Sequence, residues 1–277
     1  MNIWIITSLT IQETQRRRIL WTALLMGLGL LALFGLGFHY IFVEFEEAGT
    51  QMVETTMAAS VLLSAGLYVA NFLIVVMAVL ISVTAIAGEV ETHTVETILT
   101  KPIRRWEWVL GKWVAFALLL SLYVLLLGGG MMLVVYARSG FVPANIAAGM
   151  SLMLLQGLTI LSLTIVGGTR LSTLTNGVVA FMLYGVAFIG GWVEQIGAIF
   201  RNETAVDIGI AASLIMPGDV LWKKAMSLFL PDFTGSVMSG GPFAVTSQPS
   251  DLMIVYALAY TLALLLLALW SFSRRDL

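Results

Sequence analysis

The residues able to do covalent or metal chemistry are few and scattered along this chain. Cysteine is absent and histidine occurs only at His39 and His93, which excludes disulfides, thiolate metal sites and cysteine nucleophiles. The two histidines fall on opposite sides of the membrane in the topology derived below, so they cannot share a metal or a dyad within one chain. Fourteen methionines, with Met150 and Met153 one helical turn apart, offer thioethers suited to copper(I). Such residues more commonly fill gaps in apolar cores, and that is the expected use here. The single Gly-Lys pair, Gly111-Lys112, is not a phosphate-binding loop. The pattern G-x-x-x-x-G-K-[ST] needs glycine where Trp106 stands and a hydroxyl where Trp113 stands. The chain is therefore expected to be no enzyme, with no catalytic residue, no metal and no cofactor of its own.

The elements that hold these residues are set by the bilayer. Hydrophobic residues make up 59% of the 277 positions and charged residues 11%, against roughly 25% charged in soluble domains. The apolar residues come in blocks of twenty or more, enough to cross about 30 Å of hydrocarbon as helix. Spans are expected at Ile19 to Val43, Leu63 to Ala87, Trp113 to Tyr136, Ile146 to Gly167, Gly177 to Ile196 and Leu252 to Phe272. The fold class is all-α, a polytopic membrane protein of about six transmembrane helices forming one domain over 1–277. Residues 1–18 form an amphipathic leading helix whose Trp4 and isoleucines suit the membrane interface. Gly27, Gly29, Gly35, Gly37 and the run Gly128-Gly129-Gly130 are expected to let helices approach closely. Ionisable residues are nearly missing from span centres. Glu194, Arg138 and His39 are placed near outer ends, where water reaches them, and the polar residues within spans, such as Asn71 and Gln156, are neutral.

Orientation follows from the positive-inside rule. An even number of spans puts both termini on one side. With that side cytoplasmic, it holds Arg16, Arg17, Arg18, Lys101, Arg104, Arg105, Lys112, Arg170, Arg274 and Arg275, whereas the outer side holds only Arg138, Arg201, Lys223 and Lys224. The N- and C-termini are thus expected in the cytoplasm. Two connections exceed simple turns: a cytoplasmic one over 88–112 and an outer one over 197–250. In the outer stretch, Ile208 to Met216 is apolar but too short to cross and is expected to be re-entrant or interfacial. Pro217-Gly218 forces a turn, and Asp219 is placed to cap a second amphipathic helix ending near Pro231. Asn202-Glu203-Thr204 fits the glycosylation pattern, a short motif of little weight.

The cytoplasmic connection reads GEVETHTVETILTKPIRRWEWVLGKW from Gly88 to Trp113. Val95, Ile98, Leu99, Ile103 and Trp106 recur at helical spacing as one apolar stripe, while Glu91, Glu96, Lys101, Arg104 and Glu107 take other faces. Pro102 lacks a helix-interior donor and disfavours helical geometry at Lys101, so two short helices meeting at a bend are expected. In order and spacing, Glu91, Thr94, Glu96, the pair Ile98-Leu99, Pro102, Arg104, Arg105, Gly111 and Lys112 resemble the segment after the second span of type-2 permeases of ATP-binding-cassette exporters. The similarity is closest to the subgroup with the permease of nitrous-oxide-reductase maturation systems. One departure is His93, where the family usually has glycine, which suggests that the helix continues through it.

The resemblance implies a multi-pass permease subunit of a prokaryotic cell membrane. Such a subunit exports a substrate when a separate ATP-binding subunit binds and hydrolyses ATP, and it works as a dimer with a second copy or a related permease. It further implies that Glu91, Thr94, Val95, Glu96, Ile98, Leu99, Pro102, Arg104 and Arg105 contact the ATPase. The competing readings are an intramembrane enzyme, which lacks a histidine or carboxylate pair within its spans, and a membrane scaffold without transport. Co-purification of an ATPase separates them. The topology has its own test, because the background is cysteine-free: single cysteines at Glu47 and Ser239 are expected to react with a membrane-impermeant thiol reagent in intact cells, and one at Thr97 is not. Outside labelling at Thr97 inverts the orientation.

Overall fold

The structure, a computed structural model, describes residues 3–49, 52–91, 104–143, 145–229 and 249–274. The described elements are all helices: α1 (Ile3–Arg16), α2 (Arg18–Glu47), α3 (Met52–Val83), α4 (Ala87–Glu91), α5 (Arg105–Ser139), α6 (Ile146–Gly168), α7 (Thr173–Ile199), α8 (Glu203–Ile215), α9 (Gly218–Phe229) and α10 (Asp251–Ser273). Among the described residues six helices are long and apolar enough to cross a membrane: α2, α3 continued into α4, α5, α6, α7 and α10. They run beyond the apolar blocks, because an exposed backbone in or near lipid must satisfy its own hydrogen bonds. The first block, Ile19 to Val43, accordingly sits inside a helix from Arg18 to Glu47.

The centre of the bundle is α6, where Gln156, Thr159, Ile160, Leu161, Thr164 and Ile165 are fully buried. Its small polar side chains bond to three neighbours and its backbone to a fourth. The Thr164 hydroxyl pairs with that of Ser82 on α3 at 2.5 Å, the indole of Trp113 on α5 donates to Ser162 at 2.9 Å, the Asn176 amide on α7 donates to the Thr164 carbonyl at 2.8 Å, and Thr159 pairs with Thr261 of α10 at 2.7 Å. Between helices immersed in lipid there is little hydrophobic drive, so packing and such bonds, worth about 0.6 kcal/mol each on average, set which faces meet.

Glycines serve the packing selectively. A side chain at Gly27 would press on Tyr123 and Leu127 of α5, one at Gly130 on Leu31 of α2, and one at Gly128 on Met150 of α6, whereas Gly29, Gly37 and Gly129 face open space. In α5, residues Leu125–Gly129 form a π-helical turn, a form that appears as single-turn bulges inside α-helices.

At one face of the bundle α1 lies across α5. Its Ile6, Thr7, Thr10 and Thr14 are buried while Trp4, Ile5 and Leu9 are exposed, so the threonines and Ile6 meet protein and Trp4, Ile5 and Leu9 face outward. At the opposite face, α8 turns back along α7, and α9 departs from it at 106°. Asn202 begins α8 as its N-cap, its side-chain oxygen accepting from the Ala205 amide at 3.2 Å. The glycosylation pattern is thus used as a helix start.

Close contact of α7 and α8 depends on Gly209. A β-carbon there would stand 2.7 Å from the Gly190 carbonyl oxygen and 2.9 Å from the Glu194 α-carbon, both backbone. Backbone cannot swing aside, so Gly209→Ala is expected to destabilise the protein by about 1–3 kcal/mol through overpacking. Gly29→Ala, with nothing within 4 Å, is expected to be neutral or stabilising by up to about 1 kcal/mol. Thermal unfolding of the two variants in detergent checks the contrast; equal midpoints would remove Gly209 as a packing determinant.

Candidate functional site

The predicted coupling residues divide between what the structure describes and what it does not. Thr94, Val95, Glu96, Ile98, Leu99 and Pro102 lie outside the described residues, as do His93 and Lys101. Glu91 is the last residue of α4, Arg104 precedes α5 with extended backbone (φ −74°, ψ 135°), and Arg105 is its first residue. Both feet of the segment are therefore defined, and they are joined.

The joint is Lys112. Its ammonium donates to the Ala85 carbonyl at 2.7 Å and to the Glu89 carboxylate, and it lies 4.5 Å from the centroid of the Trp108 ring. Lys112 is 4% exposed and Glu89 8%. A charge so enclosed requires an opposite charge and hydrogen bonds to offset its desolvation, and both are present. Trp108 in turn stacks on Phe272 of α10 with centroids 4.9 Å apart.

The neighbouring Gly111 lets α1 cross. A β-carbon at Gly111 would stand 2.7 Å from the Ile6 side chain, and the Thr7 hydroxyl donates to the Gly111 carbonyl at 3.0 Å. Arg17, between α1 and α2, donates to the Thr84 hydroxyl at 2.7 Å and pairs with Glu13 at 2.5 Å. The segment over 92–103 thus springs from a block uniting α1, α3, α4, α5 and α10. Composition gave no sign of Glu89 or Trp108 in this role. Gly111 and Lys112 were visible as a motif, though not as the pivot and clamp that they form.

A second ionic cluster lies at the other face. Lys223 of α9 donates to Glu194 of α7 at 2.9 Å and to the Gly191 carbonyl at 3.0 Å, and stands 3.0 Å from Asp219. All three charged residues are at most 7% exposed. The expectation that water reaches Glu194 is corrected here, because α8 and α9 cover it. Asp219 lies within the first turn of α9, and its carboxylate turns to Lys223 rather than serving as the cap expected of it. Asn71 and Gln156, noted as neutral polar residues within spans, line a cavity beside this cluster.

Taken together, the helices define a polytopic, all-α membrane protein in which Lys112 ties α4 to α5 at one face. Residues 4–277 match the model of a family described as ABC-2 family transporter protein, and the chain belongs to that family: it is the membrane component of an ABC transporter. No curated protein matches it.

Lys112→Ala leaves the Glu89 carboxylate buried without its cation, and removing one member of such a pair costs about 3–5 kcal/mol. The double change Glu89→Gln with Lys112→Met is expected to recover most of that loss, since it removes both charges and keeps the volume. Unfolding midpoints of the single and double variants check this; a double variant no more stable than Lys112→Ala would mean that the pair does not act as a unit.

Proposed function

We propose that this chain is the permease subunit of an ATP-driven exporter, moving its cargo when a separate ATP-binding subunit docks on the segment over 88–112. The observation that carries the reading is the fixed foot of that segment. ATP binding can move the spans only through a contact made differently in the two ATPase states, and that contact must be mounted on something rigid. The Lys112 clamp, the Gly111 crossing and the Trp108 stack supply such a mount. The stripe of Val95, Ile98 and Leu99 is the proposed docking surface, with Glu91, Thr94, Glu96, Pro102, Arg104 and Arg105 around it.

In the same proposal the face bearing α1 and the end of α10 is cytoplasmic, in line with the ten basic residues assigned to it. The protein sits in the cell membrane, and the helix pair α8–α9 forms part of the outer connection over 197–250. ATP is held by the partner and no cofactor by this chain. Two permease subunits, identical or related, pair across faces such as that of α2, whose apolar core is only 17% buried in the single chain. The kinship with the permease of nitrous-oxide-reductase maturation belongs to this proposal too, resting on the motif around Glu91 and Pro102.

The test is recruitment. Burying one such aliphatic side chain contributes about 1.5–3 kcal/mol, so Ile98→Asp with Leu99→Asp is expected to weaken ATPase binding at least about a hundredfold. Glu96→Ala, removing one charge where a surface ion pair contributes under about 1 kcal/mol, is expected to change binding little while lowering coupled ATP hydrolysis. Affinity is measured on detergent-solubilised, monodisperse permease against its co-expressed ATPase. Retained affinity in the double variant would remove the docking assignment.

A further inference from the structure

Where α3, α6, α7 and α9 converge, the protein forms a half-open cavity of about 200 Å³. Asn71, Gln156 and Tyr184, which line it, stand near the midpoints of their spans, so the cavity lies deep in the bundle. The tip between α8 and α9 reaches the same depth: a β-carbon at Gly218 would stand 3.8 Å from Tyr184 and 3.9 Å from Gln156.

The polar lining is built but incomplete. Gln156 is fully buried, and neither atom of its amide has a hydrogen-bond partner among the described residues; the same holds for the Asn71 carbonyl oxygen, in a residue 3% exposed. Buried amides are ordinarily satisfied, so one unsatisfied amide and a second unsatisfied amide oxygen on one cavity point to a ligand. Asp219, also in the lining, holds one carboxylate oxygen 3.0 Å from the Lys223 ammonium. The same ammonium donates to the Gly191 carbonyl and to Glu194.

The charge balance chooses the ligand. Two carboxylates share one ammonium, and the next lysine, Lys224, is turned away to Asp251 at 2.8 Å and to the Pro249 carbonyl. Among the described residues the ionised cluster therefore keeps one negative charge, beside a cavity lined by two amide carbonyls and by Asp219. A primary ammonium, with three donors and one positive charge, fits that set. Phe72, Phe188 and Trp222 wall the cavity, and aromatic faces attract cations. The cavity is smaller than the roughly 300–1,000 Å³ that encloses a whole drug-sized ligand. Val69 and Phe72 at its rim are 45% and 51% exposed on the lipid-facing side of α3, which leaves a way out for a tail.

We propose that this cavity binds the head of an amphipathic primary ammonium compound, with Asp219 as counter-charge, Asn71 and Gln156 as hydrogen-bond acceptors and the alkyl part leaving past Val69 and Phe72. As an assignment of cargo class it rests on the transport reading above; as a binding site it does not.

Calorimetric titration of the purified full chain in dodecyl maltoside with octylammonium, octan-1-ol and octanoate tests it. Octylammonium is expected to bind at least tenfold more tightly than either control, and Asp219→Asn is expected to remove that advantage. Gln156→Leu is expected to lower octylammonium affinity while keeping or raising the thermal midpoint, since it removes an unsatisfied amide; this variant guards against a folding defect in Asp219→Asn. Equal binding of octan-1-ol, unchanged affinity in both variants, or a lowered midpoint in Gln156→Leu would each overturn the site. Octylammonium binding in a chain that recruits no ATPase would keep the site and remove the transport reading; recruitment without octylammonium binding would do the reverse.

Discussion

Every buried polar group in this bundle must find its partner inside the protein, because the surrounding hydrocarbon offers none. That constraint shapes α6 before anything else. A helix of mixed threonine, serine, glutamine and leucine would be poorly placed against lipid, but Thr159, Ser162 and Thr164 have hydroxyls at depths where α3, α5 and α10 present matching groups, and Asn176 of α7 bonds to the Thr164 carbonyl. Apolar contact cannot tell one helix face from another in lipid, whereas a hydroxyl paired at 2.5 to 2.9 Å can. The small residues act with these bonds. Gly209 and Gly190 bring α8 against α7 closely enough for Glu194 to be covered, and Gly111 brings α1 onto α5 so that Thr7 can reach its backbone.

The two lysines buried in ion pairs solve a related problem in different ways. Lys112 joins the foot of the α3–α4 span to α5 beneath α1, and Lys223 joins the short helix α9 to α7. At Lys112 one ammonium meets one carboxylate and a carbonyl, with an aromatic face beneath, so the site is balanced and suits a mechanical joint. At Lys223 one ammonium meets two carboxylates, and the surplus sits beside a cavity with unsatisfied amides. A balanced cluster can remain closed through a transport cycle, whereas an unbalanced one gains from a visiting cation. A buried ion pair is weak evidence of stability in itself, so the difference in balance says more about use than the burial does.

Much of the fold was legible because the bilayer imposes length and composition together. The six spans were readable from apolar blocks, and only their ends differ, since helices continue through the interface after the apolar residues stop. The turn at Pro217-Gly218 was also readable from local chemistry. Glu194 was not. Its position near a span end suggested water, and only the return of α8 along α7, a tertiary fact without periodic signature, encloses it. Asp219 looked like a cap because a carboxylate before an amphipathic run usually is one; a lysine one turn later competes for it. Glu89 and Lys112 are separated by the whole segment over 92–103 and by no repeating pattern, so their pairing follows from the crossing of α3, α4 and α5 alone. Asn71 and Gln156 were seen as neutral and therefore quiet. Neutral amides in lipid need partners as much as charges do, and their lack of partners is visible only in three dimensions.

On the transport reading, the remaining question is how a push at the segment over 92–103 could be felt at the cavity. The structure offers a short route. The apolar rod from Thr55 to Glu89 carries Asn71 at its middle and Thr84, Ala85 and Glu89 at its foot, so the residue that lines the cavity and those that hold the clamp share one span. The other walls belong to α6, α7 and α9, and α6 bonds to α3 near the foot through Ser82 and Thr164 but makes no hydrogen bond to it at Gln156 among the described residues. A tilt of α3 about the Ser82–Thr164 contact would therefore move Asn71 relative to Gln156 and Asp219 while leaving the foot joined. The ligand would then be held by different numbers of acceptors in the two positions. Only such a difference lets a cargo and an ATPase bias the same equilibrium, and placing unsatisfied amides on two separate helices provides it.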